Sequence, residues 1–141
     1  MWPNSFEARL QEWADLRAEV IQMPIEPALN TINDWWFRAP MVNRYLHPMD
    51  MDNWPNPWEL LSDNMFCDLA RALGIVYTII SIEHPEIMKT EIAYTENDNL
   101  VLVNEGLYIL NWAPRTLLNI NSTDFKIQRI VDSQRFKSKY N

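Results

Sequence analysis

Cys67 is the single cysteine of a 141-residue chain, and the residues that follow it, Asp68-Leu69-Ala70-Arg71-Ala72-Leu73-Gly74, set it near the start of a helix. The partial positive charge of a helix N-terminus favours a thiolate, so this is a mounting from which sulfur can act as a nucleophile. Such a nucleophile also needs a nearby base. The chain offers two histidines, His47 and His84, and each precedes a proline, as loop residues do. The same scarcity argues against a metal centre, because Cys67 has no second cysteine at ligand spacing and the histidines are far apart. With two glycines in all there is no Gly-rich phosphate loop, and no cofactor is expected.

The elements that must position Cys67 follow from periodicity and punctuation. Asn4 and Glu7 have capping-box spacing, and Phe6, Leu10, Trp13 and Val20 recur every three or four residues, which predicts a helix over about 5–22. Pro24 and Pro27 stop it. Pro27 suits the first position of a second helix whose apolar side carries Ala28, Ile32, Trp35 and Trp36, and Pro40 ends that helix. Residues 47–57 are rich in turn formers and read as an ordered loop pinned by Trp54 and Trp58. Pro57 opens a short helical turn, and Asp63 or Asn64 caps the cysteine helix.

Gly74 reads as the left-handed end of that helix, and the apolar, β-branched run 75–81 as a buried strand. A second strand is expected over 90–95, and a hairpin joins 100–103 to 107–110 through Gly106. A final edge strand follows over 125–131. Helices first and an antiparallel sheet afterwards give an α+β fold. One domain over 1–141 is expected, with a helical, Trp-rich part (1–63), the cysteine helix and strands (64–131) and a basic tail (132–141).

Five of the seven tryptophans precede residue 55, and Trp35 and Trp36 are adjacent. One helix face cannot take both equally, so one is expected to protrude. Trp35, Trp36, Arg38, Trp54 and Trp58 are therefore candidate protein-binding residues, the competing reading being an aromatic seam between helices and sheet. Arg38 has two structural partners available, a neighbouring ring or Asp34. The net charge is −7; from Asp124 onward five basic residues face two acidic ones, net +3, which leaves −10 on the first 123 residues. The acidic body argues against nucleic acid, while the basic end suits an acidic surface on a partner or on a second copy of the chain. The N-terminus lacks a basic start with an apolar run, and no stretch of about 18 apolar residues is present, so neither a signal peptide nor a membrane span is expected.

Cys67-Asp68-Leu69-Ala70-Arg71-Ala72-Leu73-Gly74-Ile75 followed by a strand is similar to the nucleophile helix of the transglutaminase-like superfamily, which shares its core with papain-type cysteine peptidases. The resemblance covers about 64–112. It implies a helix packed on an antiparallel sheet whose second strand begins with His and whose third ends with Asp. On the strand count above, Asn104 takes the Asp position and the His position falls on Met88 to Thr90, none of which is a base. A degenerate, non-catalytic core working in protein interaction or assembly is the implied function. The Trp-rich first half resembles small proteins of tailed bacteriophages, which implies phage structural proteins as partners and a place in the virion or the host cytoplasm. The alternative is an active peptidase or amide-transferring enzyme with Cys67 as nucleophile, His84 as base and Asn104 orienting the imidazole, as Asn does in papain-type enzymes.

Overall fold

Among the described residues, four α-helices precede a four-stranded antiparallel sheet, which is an α+β fold. The computed structural model describes residues 1–42 and 46–140. Helix α1 (Phe6–Val20) is capped by Ser5, whose hydroxyl accepts from the Ala8 amide at 3.1 Å, so the cap lies one residue beyond the expected Asn4. Its buried stripe is Arg9, Trp13, Leu16 and Val20. The buried Arg9 is paired: Nε donates to the Leu61 carbonyl at 2.7 Å and Nη1 to that of Pro3 at 3.1 Å. Helix α2 (Ile25–Trp36) starts before Pro27, which sits in the first turn, where a missing N–H leaves no carbonyl unpaired. A reciprocal capping box between Asn56 and Glu59 opens α3 (Pro57–Asp63). Asn64 (φ 55°) closes α3 instead of opening the next helix.

The largest departure from expectation is α4 (Asp68–Ile82), which passes straight through Gly74 and absorbs the segment read as a strand. Eleven of its fifteen residues are buried, because α1, α2 and α3 surround one side and β1 (Thr90–Tyr94) and β2 (Asn99–Val103) cover the other. A helix buried all round loses its amphipathic signature, and a continuous run such as Ala72 to Ile80 then looks like a buried strand. Gly74 is therefore no C-cap. A Cβ there would lie 2.5 Å from the Trp36 ring, so glycine makes the notch that receives this indole. The helix ends instead at Glu83 (φ 47°).

The Trp36 indole N–H donates to the Thr78 hydroxyl at 2.9 Å, as does the Trp13 indole from α1, also at 2.9 Å. The hydroxyl in turn donates to the Gly74 carbonyl at 2.8 Å. One oxygen thus uses both acceptor sites and its proton to tie three helices in the core. Trp35 is buried as well, edge-on to Trp36 with centroids 4.9 Å apart and covered by Trp2 at 4.7 Å. The expectation that one of the pair protrudes fails because the Gly74 notch takes one ring and the N-terminal segment covers the other.

The strand order is β3-β2-β1-β4, with β3 spanning Tyr108–Leu110 and β4 Arg129–Asp132. The hairpin forms as predicted, with Gly106 at φ 87°. One sheet face packs on α4; the other, with Ala93, Leu100, Leu102 and Ile109, is covered by Leu118, Ile120, Phe125 and Ile127. The last strand is thus shorter than 125–131, since Phe125 and Ile127 lie over the sheet instead of extending it. The basic end is docked and not a free tail: Phe136 is buried against Trp54 and Tyr77, and Tyr140 stacks at 5.6 Å on Trp58.

Thr78→Val, which keeps the shape and leaves two buried indole N–H groups unpaired, is expected to cost about 3 kcal/mol, whereas Thr78→Ser retains most of the stability. Urea unfolding of the two variants beside the parent checks this.

Candidate functional site

Cys67 occupies the N-cap of α4 in an extended conformation (φ −121°, ψ 179°), with its carbonyl accepting from the Arg71 amide and its side chain making no cap bond. The preceding residue, Phe66, is fully buried and fixed by a bridge to Met41, with the Val42 amide donating to the Phe66 carbonyl at 2.6 Å. The thiol is half-buried against the main core.

What stands beside it is a closed set of hydrogen bonds. The Asp68 carboxylate accepts from the Asn99 backbone at 2.7 Å, from the Asn99 amide at 3.1 Å and from Arg71 at 3.1 Å. Asn111 is 2 % exposed and left-handed (φ 68°), a conformation Asn tolerates better than most residues. Its amide nitrogen donates to the carbonyls of Asp68 and Asn99, its oxygen accepts from Arg71 Nε at 2.6 Å, and its backbone N–H donates to the Asn33 side chain. The Arg71 guanidinium lies 3.8 Å over the Phe37 ring, and its burial lowers its pKa against the opposing pull of Asp68 and Cys67. Five polar side chains from α2, α4, β2 and the end of β3 are thus tied to one another and to nearby backbone groups.

The residues expected to complete a catalytic set are elsewhere. His84 follows the far end of α4, about 22 Å along a fifteen-residue helix from its start. Its Nε2 donates to the Met23 carbonyl at 2.8 Å while Nδ1 accepts from the Glu86 amide at 3.1 Å, so the ring staples two loops. Asn104 lies at that same far end, accepting from the amides of Met88 and Lys89 and donating to the Glu86 carbonyl. His47 accepts from the Met49 amide in the 47–57 loop and lines a depression with Asp50, Glu59 and Lys139 in which Cys67 takes no part. The set Cys67, His84 and Asn104 is therefore not assembled, because the length of α4 separates Cys67 from the other two.

The error traces to α4. Counting 75–81 as a strand moved every later strand up by one. In the observed order the second strand is β2, which begins at Asn99, and the third is β3, immediately followed by Asn111. The two positions where the transglutaminase-like resemblance implies His and Asp are thus both asparagine, and both side chains sit beside Asp68, next to Cys67. The turn 96–99 just before an alternating apolar strand carried the signal for Asn99; nothing local marked Asn111.

Of the candidate binding residues, Trp35, Trp36 and Trp54 are buried, which removes them from the surface. Trp54 is held through its indole N–H by the His47 carbonyl. Trp58 is 41 % exposed, edge-on to Trp13. Arg38 pairs with Glu12 of α1, and not with Asp34, which instead accepts from the Arg115 amide. Among the described residues no group of three His, Cys, Asp or Glu side chains could hold a metal, and no helix is long and apolar enough to cross a membrane.

No family model matches the sequence, and no curated protein matches it. A solved structure of Legionella pneumophila LapG is similar in fold: the alignment covers 94 % of this chain and 77 % of that one at a TM-score of 0.68, with 15 % sequence identity. The likeness carries the fold, which is transglutaminase-like.

Removing the central amide by Asn111→Ala is expected to cost about 3 kcal/mol or more, from buried partners left unpaired and from alanine in a left-handed position, read as a lowered melting temperature. His84→Ala is expected to leave the rate of Cys67 alkylation by iodoacetamide at neutral pH unchanged while lowering stability, which a thiol-labelling time course on the folded variant checks.

Proposed function

We propose that this chain is a non-catalytic, transglutaminase-like domain that acts by binding a protein partner, as an assembly or interaction component. One observation supports the reading above all: the side chains placed beside the Cys67 end of α4 are Asn99 and Asn111, and their amides are occupied by Asp68, Arg71 and backbone carbonyls. An amide has no accessible pKa at neutral pH and takes no proton from a thiol, so acyl transfer through Cys67 lacks its base.

Asn99 and Asn111 complete a polar seam between helix and sheet. Accessible surface for a partner remains at Trp58 and Arg38 and at the exposed methionines Met41 and Met65 flanking Phe66, a side chain type that adapts to varied partners. A tailed-phage particle, with other phage structural proteins as partners, is the setting proposed from the Trp-rich first half.

Purified protein is expected to show no hydrolysis of peptide amides and no amine incorporation above the level of Cys67→Ala, and Cys67→Ala is expected to keep the parent's fold and its biological effect. Turnover that Cys67→Ala abolishes in a folded protein would overturn the reading and restore the cysteine enzyme.

A further inference from the structure

The end of α4 away from Cys67 lies over two hydroxyls that are side by side and unbonded. Thr90 opens β1 and pairs with Val103, on the sheet face that packs against α4. The ladder between β1 and β4 sets Glu91 opposite Asp132, and Asp132 is extended (φ −69°, ψ 138°), so one further step places Ser133 beside Thr90. Side chains alternate along a strand and Val131 belongs to the core under α4, so Ser133 returns to that same face. Both residues are more than nine-tenths buried, Thr90 at 6 % exposure and Ser133 at 4 %. Among the described residues neither hydroxyl has a hydrogen-bond partner, and neither oxygen is sealed from solvent.

Both residues line a depression of about 470 Å³, within the roughly 300–1,000 Å³ of small-molecule sites, and their oxygens open into it. Ile79 and Ile80 of α4 and Ile87 of the loop after it give this depression an apolar wall. Its ionic groups balance, Glu83 and Asp132 against Lys89 and Lys137. Two of them are already engaged, Asp132 by the Gln134 amide at 2.9 Å and Lys89 by Glu91 at 3.5 Å, and His84 is held at both ring nitrogens. A rim with as many anions as cations selects no ion. It suits a neutral molecule with an apolar face and several hydroxyls, each able to donate and accept as Thr90 and Ser133 do.

We infer that Thr90 and Ser133 anchor a neutral sugar in this depression, their hydroxyls bonded to its own and the isoleucines against its C–H face. A free sugar and a residue of a glycan share this chemistry. The inference goes beyond the loss of catalysis and holds whether or not Cys67 is reactive, because the length of α4 lies between the two places.

Titration of the full chain with D-glucose, D-galactose and N-acetyl-D-glucosamine, each free and as its methyl glycoside, read by saturation-transfer NMR, tests it. Saturable binding of at least one probe is expected, weakened about fivefold by Ser133→Ala and by Thr90→Val, the factor for losing one neutral hydrogen bond, and unchanged in Ser62→Ala on the exposed side of α3. Binding of a free sugar alone identifies a free-sugar site; binding of a methyl glycoside identifies a glycan residue. Without ligand, Thr90→Val is expected to melt no lower than the parent, since it deletes an unpaired hydroxyl. Absence of saturable binding to every probe, binding that neither Ser133→Ala nor Thr90→Val weakens, equal weakening by Ser62→Ala, or a large loss of melting temperature in ligand-free Thr90→Val would overturn the site.

Discussion

One hydroxyl at the centre of the molecule, that of Thr78, holds the indoles of Trp13 and Trp36 at 2.9 Å each while donating to the Gly74 carbonyl. It works only because Gly74 leaves room for the Trp36 ring and because α4 is surrounded, so that no water competes for either indole. Position and angle of α1 and α2 relative to α4 are thereby tied to a single atom. The aromatic cluster of Trp2, Trp35, Trp36 and Phe66 builds outward from that point to the chain segment just before Cys67.

With α4 fixed, its two ends acquire opposite roles. The far end is closed by Glu83 in the left-handed conformation and stapled by His84 and Asn104 to neighbouring loops. The near end meets the starts and ends of strands, where an aspartate, an arginine and three asparagines are tied to one another and to nearby backbone. A fold of this kind brings side chains from α4, β2 and β3 together whatever those side chains are. Chemistry depends on their identity, and here amides stand where a proton acceptor would be needed.

The same geometry explains why polar groups at this end differ in character. Asp68, Arg71, Asn99 and Asn111 are tied to one another and stabilise the sheet against the helix. One strand further along the same row, the buried Tyr94 hydroxyl has no hydrogen-bond partner among the described residues.

Several features were legible in the chain itself. Caps and prolines located α1, α2 and α3 to within a few residues, Gly106 and its flanking strands gave the hairpin, and the order of helices before strands gave the α+β class, because each rests on local backbone preferences. Residues 64–112 likewise carried the transglutaminase-like resemblance that the LapG likeness supports as a fold. The helical state of Ile75 to Ser81, the burial of both Trp35 and Trp36, the docking of the basic end and the partners of Asn99 and Asn111 were decided only in three dimensions. A helix enclosed on every side has no polar face to betray its period, and hydrogen bonds between residues 31 to 78 positions apart leave no local trace.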